Sequence, residues 1–105
     1  MMFEEEVKSF VDKIANACNP KAIIIFGSVA KGTSDENSDL DIMVILDTEM
    51  TYYERTLAVR KSIGVTSIPI DILAFTPEEI EAGRQINGSI ISEVLSTGRV
   101  VYGAA

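Results

Sequence analysis

The sequence predicts an α+β fold, an α/β-type sandwich in which helices pack on a small mixed β-sheet. Three observations carry that expectation. Short apolar runs, mostly β-branched and bounded by turn residues, fall at 23–26, 42–46 and 68–75; such runs are buried strands more often than helix fragments. Stretches with apolar residues three and four apart precede, separate and follow them, which is helix spacing. The order helix, strand, turn, strand, helix, strand, helix puts a helical crossover between the second and third strands, so those two run parallel. If the first and second strands pair antiparallel across their turn, the glycine turn and the aspartates meet at one rim.

Taken in order, residues 2–18 read as an amphipathic helix, with Val7, Phe10, Val11, Ile14, Ala17 and Cys18 on one face. Glu4, Glu5 and Glu6 occupy its first turn, where the helix dipole favours negative charge. Asn19-Pro20 ends it. The first strand stops at Gly27-Ser28. Residues 28–31 are expected to form one helical turn closed by Gly32, and 33–38 a polar loop. The second strand runs from Asp39 to about Leu46. A second helix is expected over 49–64, capped by Thr48 and stopped by Gly64. Tyr53, Leu57, Arg60 and Ile63 lie at helical spacing along it, with Tyr52 and Tyr53 as packing residues. The third strand covers 68–75, with Pro69 marking its start or a sheet edge. Thr76-Pro77-Glu78-Glu79 is a helix start: a capping threonine, proline at the first position, and a capping-box glutamate. That helix extends to Thr97, with Asn87-Gly88 as its point of interruption, and 99–102 add a short last strand.

The chain has 105 residues, 47% of them hydrophobic and 24% charged, which fits one soluble globular domain spanning 1–105. No apolar run approaches the ~20 residues of a membrane span. The acidic start, MMFEEEVK, is unlike a signal peptide. The single Cys18 excludes an internal disulfide and reads as a small buried hydrophobe in a reducing compartment; the expected location is the cytoplasm. The net charge of −7 argues against a protein that tracks a nucleic-acid backbone, which needs basic patches.

The candidate site lies between the first two strands. Asp39 and Asp41 open the second strand, and alternate strand residues point to the same face. Two full charges ~4 Å apart cost roughly 4 kcal/mol at an effective dielectric near 20, a large share of a small domain's stability. The chain has no histidine. A bound dication is the economical relief, and hard oxygen donors suit Mg2+ or Mn2+. The expected topology brings Gly27, Ser28, Asp39, Asp41 and Asp71 to one rim of the sheet. Three other motifs fail. Asp35-x-Asn37-x-Asp39 starts like a calcium loop, but Leu40 and Leu46 stand where glycine and glutamate belong. Gly27-x4-Gly32 lacks the lysine that should follow it in a phosphate loop. A dehalogenase-type DxD would end its strand, whereas this one opens it.

What fits is Gly27-Ser28, ten residues, then Asp39-Leu40-Asp41. This resembles the GS-x10-DxD signature of the DNA polymerase beta-like nucleotidyltransferase superfamily. Asp71, in Pro69-Ile70-Asp71-Ile72, is similar to that superfamily's third carboxylate, and the length resembles the minimal nucleotidyltransferase (MNT) branch. The resemblance implies a nucleotidyltransferase fold and transfer of NMP, with AMP from ATP as the leading case, to an acceptor hydroxyl. It implies Asp39, Asp41 and Asp71 as catalytic ligands of Mg2+ (or Mn2+), with Asp71 helping to remove the nucleophile's proton. Gly27, Ser28 and the N–H groups of the following turn would receive the phosphates, with Lys31 an added contact. It further implies a partner, since MNT proteins pair with helical HEPN-domain toxins as antitoxins. The rival expectation is a non-catalytic binding module that neutralises or scaffolds a partner through the same fold.

Overall fold

The computed structural model describes residues 2–27 and 39–104. The elements are α1 (Met2–Cys18), β1 (Ala22–Phe26), β2 (Leu40–Ile45), α2 (Tyr52–Ile63), β3 (Ile70–Phe75), α3 (Pro77–Arg84), α4 (Ile90–Thr97) and β4 (Arg99–Gly103). The strands form one four-stranded mixed sheet in the order β3-β2-β1-β4. β1 pairs antiparallel with β2 and with β4, and β2 pairs parallel with β3, as the expected crossover requires. The helical turn expected at 28–31 and the polar loop at 33–38 lie outside the described residues.

Strand alternation divides the core in two. One face of the sheet carries Ile23, Ile25, Leu40, Ile42, Val44, Ile70 and Ile72, covered by Val7, Phe10, Val11 and Ile14 of α1 and Val59 and Ile63 of α2. The other carries Ala22, Ile24, Met43 and Ile45, covered by Ile80 of α3 and Ile91 and Val94 of α4. Asn19 closes α1 in the left-handed conformation, φ 48°, donating its N–H to Ala15 O at 3.2 Å; asparagine tolerates that conformation better than most residues. The half-buried Cys18 thiol reaches Ala58 O at 3.9 Å, and burial raises its pKa.

Two helices differ from expectation. α2 is capped by Thr51, whose hydroxyl accepts from Glu54 N while the Glu54 carboxylate accepts from Thr51 N. Thr48 instead accepts from Met50 N in the preceding turn. The buried face of α2 is Arg55, Val59 and Ile63, and Tyr53 is 74% exposed. Arg55 takes an inward position where an apolar residue would be expected, so the apolar pattern points to the neighbouring face. The helix after β3 is two helices. Gly88, at φ 82°, sits in a conformation that suits glycine, and Ser89 caps α4 by accepting from Ser92 N at 3.0 Å.

α2 also closes one edge of the sheet. In a parallel edge strand alternate carbonyls point away from the partner. Pro69 O and Phe75 O bond inward to Leu40 N and Leu46 N, both at 2.9 Å. Ile70 O, Ile72 O and Ala74 O point outward, and each meets a donor from α2. Arg60 Nη2 donates to Ile70 O at 3.2 Å, Tyr52 Oη to Ile72 O at 3.5 Å, and Arg55 Nη1 to Ala74 O at 2.9 Å.

Candidate active site

The acidic residues gather at the end of the sheet where β1 stops and β2 and β3 begin. Phe26 is the register partner of Asp41, and Asp41 of Asp71. Paired residues of neighbouring strands point to the same face, about 4.8 Å apart. The three therefore form a row on the face covered by α3 and α4, next to the row Ile24, Met43 and Leu73. The bond from Leu40 N to Pro69 O holds β2 and β3 level at this point.

Asp41 is partly buried, and Asp71 is exposed beside it. Burial raises the Asp41 pKa first; the charge of Asp71, a hydrogen bond between the two carboxyl groups, and the charge of Asp39 push it the same way. Asp39 is exposed just before β2, near enough to act on Asp41 by its charge. Among the described residues, no three acidic, cysteine or histidine side chains already converge as a metal-ligand set. The structure thus brings Asp41 and Asp71 together and leaves Asp39 at the mouth. The donor chemistry suits a hard dication: carboxylate oxygens with unrelieved negative charge.

Gly27 follows Phe26 with φ 74°. A Cβ at this position would collide with Oδ2 of Asp41. Glycine therefore meets two requirements at once: a left-handed turn out of β1 and room for the carboxylate. Ser28 and Lys31, the other two expected phosphate contacts, lie outside the described residues.

Two arginines stand near this architecture: Arg55, which the sequence pattern did not mark, and Arg60, expected only as part of the helical spacing. Arg60, bonded to Ile70 O, is anchored one residue from Asp71 on the outer edge of β3. Its place follows only once α2 is known to cover that edge. Arg55 lies at the far end of β3 and bonds Met50 O at 3.0 Å, Ala74 O at 2.9 Å, and both oxygens of Glu79 at 2.6 and 3.3 Å.

Comparison with known proteins identifies the family and the fold. Residues 8–105 match the family described as polymerase beta, nucleotidyltransferase. The chain belongs to that family. A candidate protein adenylyltransferase of Methanocaldococcus jannaschii is 32% identical over 102 residues, covering 94% of this chain and 97% of that one. A candidate nucleotidyltransferase from Sulfolobus solfataricus shares the fold with a TM-score of 0.60 at 23% identity, over 74% of this chain and 70% of that one. So does a toxin–antitoxin structure with AMP-PNP, with a TM-score of 0.65 at 19% identity, over 92% of this chain and 73% of that one. A variant of the toxin–antitoxin pair MntA–HpeT gives 0.61 at 19% identity, over 94% and 73%. No helix of the described residues is long and apolar enough to cross a membrane.

Proposed function

We propose that this nucleotidyltransferase moves AMP from ATP to a hydroxyl on a partner protein, as the antitoxin of a HEPN-type toxin, using Mg2+ held by Asp39, Asp41 and Asp71. The observation that carries the reading is the Asp41–Asp71 pair: two carboxyls on register-paired residues of adjacent strands, with Asp41 facing the space that Gly27 leaves open. Divalent ions at such a site stabilise the attacking and departing oxygens of a phosphoryl displacement. The chain's own groups do the rest. The backbone after Gly27, with Ser28 and Lys31, receives the β- and γ-phosphates. Asp71 accepts the proton of the acceptor hydroxyl as its oxygen bonds the α-phosphorus and the bond to pyrophosphate breaks. Asp39, at the mouth, would complete the ligand set. The adenylyltransferase name of the Methanocaldococcus jannaschii relative supports AMP as the transferred group, and the toxin–antitoxin structures support a toxin as acceptor.

The test is incubation with ATP labelled at the α-phosphate, Mg2+ and the product of the neighbouring gene. Label is expected on the partner, falling by about 10³-fold in Asp41→Asn, the scale on which a lost transition-state contact acts. Mg2+ with ATP is also expected to raise the melting temperature of the parent through linkage. A stable complex that takes up no label from any nucleoside triphosphate would leave a binding module in place of the enzyme.

A further inference from the structure

One of the three donors that α2 sends to β3 lands on the peptide unit that carries Asp71. Arg60 Nη2 donates to Ile70 O at 3.2 Å. In a strand the carbonyl and the N–H of one peptide point in opposite directions, so the N–H of Asp71 points inward, to β2, its parallel partner. The peptide between Ile70 and Asp71 is therefore held on both sides, by the sheet within and by Arg60 without. Upstream support is thin. Pro69 has no N–H to give, and residues 64–69 belong to no helix or strand.

Arg60 is itself firmly based. Its neighbours on the inner face of α2, Val59 and Ile63, are buried, and its carbonyl accepts the closing Gly64 N–H at 3.1 Å. Arg55, at the other end of β3, is tied to Glu79. Among the described residues no carboxylate pairs with Arg60, so its bond to the strand is not a by-product of an ion pair.

We propose that Arg60 is the positioning residue for Asp71: it fixes the peptide that aims this carboxylate beside Asp41, and so sets the spacing of the pair. What that spacing serves rests on the proposed nucleotidyl transfer; the placement does not. A group that orients a metal ligand from behind carries about 10–100-fold in activity. In the proposed reaction the phosphates are received at Gly27, two strand spacings or about 10 Å from Asp71. The loss on removing Arg60 therefore falls on turnover and leaves ATP binding alone.

Arg60→Met keeps the stem and removes the donors. In the full chain, residue-by-residue amide exchange by NMR is expected to show the Asp71 N–H exchanging about 10-fold faster in this variant, while Met43, in the middle of β2, keeps the parental rate. In the labelled-ATP assay the same variant is expected to lose about 10-fold in kcat with KM for ATP unchanged. Arg60→Lys, which keeps a donor, is expected to recover most of that loss. An Asp71 amide that exchanges at the parental rate overturns the proposal. So does an unaltered kcat, or a loss of equal size in Arg60→Lys. If the parent transfers no label, the proposed function has failed, and amide exchange alone decides the role of Arg60.

Discussion

β3 carries a carboxylate problem at each end and solves the two in opposite ways. At its start, Asp71 stands against Asp41 with no basic partner bonded to either among the described residues. Just beyond its finish, Glu79 is held by Arg55 at 2.6 Å, with the Arg55 side chain 7% exposed and Glu79 44% exposed. The Arg55 hydrogen bond lowers the Glu79 pKa, while burial and two acidic neighbours raise that of Asp41. One end of the strand is built for stability. The other keeps its charge unrelieved, which a stable fold alone would not require. An acid with a raised pKa set beside two more carboxyls is what a cation-dependent site needs.

The largest effect expected from this contrast is at the paired end. Arg55→Met removes the donor to Ala74 O, Met50 O and Glu79 together, and should cost about 3 kcal/mol in denaturant unfolding, toward the lower end for a buried pair because Glu79 is half in water. At the other end, Gly27→Ala combines a left-handed strain with a collision against Asp41. It should cost about 2 kcal/mol and abolish label transfer. The double variant Asp39→Asn, Asp41→Asn should melt no lower than the parent without metal, because it loses repulsion. A marked drop would make the rim a structural, hydrogen-bonded feature.

The pH dependence sharpens the contrast because the two signs are opposite. A lowered carboxyl such as Glu79 contributes stability above the ordinary carboxylate range and loses it as pH falls through its folded value. Glu79→Gln should therefore be less stable than the parent at pH 7 and converge with it in acid. A raised carboxyl such as Asp41 costs stability above its folded value and is relieved as pH falls through it toward the ordinary range. Asp41→Asn should be the more stable protein at pH 7, and should converge from the other side. Denaturant midpoints from pH 7 to 3 read both. The smallest effect belongs to Tyr52→Phe, which loses a long 3.5 Å bond to Ile72 O and keeps the tilted contact with Phe75, centroids 5.8 Å apart; less than about 0.5 kcal/mol is expected.

The strands and their directions were legible because β-branched runs and turn residues mark them locally, and the crossover rule supplies the pairing. The gathering of Asp41 and Asp71 at one rim followed from the expected topology, but their register did not: strands starting at Asp39 and Ile68 would set Asp71 opposite Ile42, whereas it stands opposite Asp41. The second helix was misread at its start although Thr51-x-x-Glu54 is itself a capping box; the earlier Thr48 drew attention from it. Its buried face was hidden by Arg55, whose charge is acceptable inside only because Glu79 and two carbonyls wait there. Those partners are 5 to 24 residues away, and local periodicity holds no record of them. The contact of Arg60 was hidden in the same way, because its acceptor is the outer edge of a strand.

The row of donors that α2 lays along β3 has one more consequence. Fibre growth by strand addition needs two open sides, so that each arrival offers a place to the next. Here Arg60, Tyr52 and Arg55 occupy one side. With that side sealed, the sheet cannot extend in both directions, a limit fixed by three side chains of a neighbouring helix.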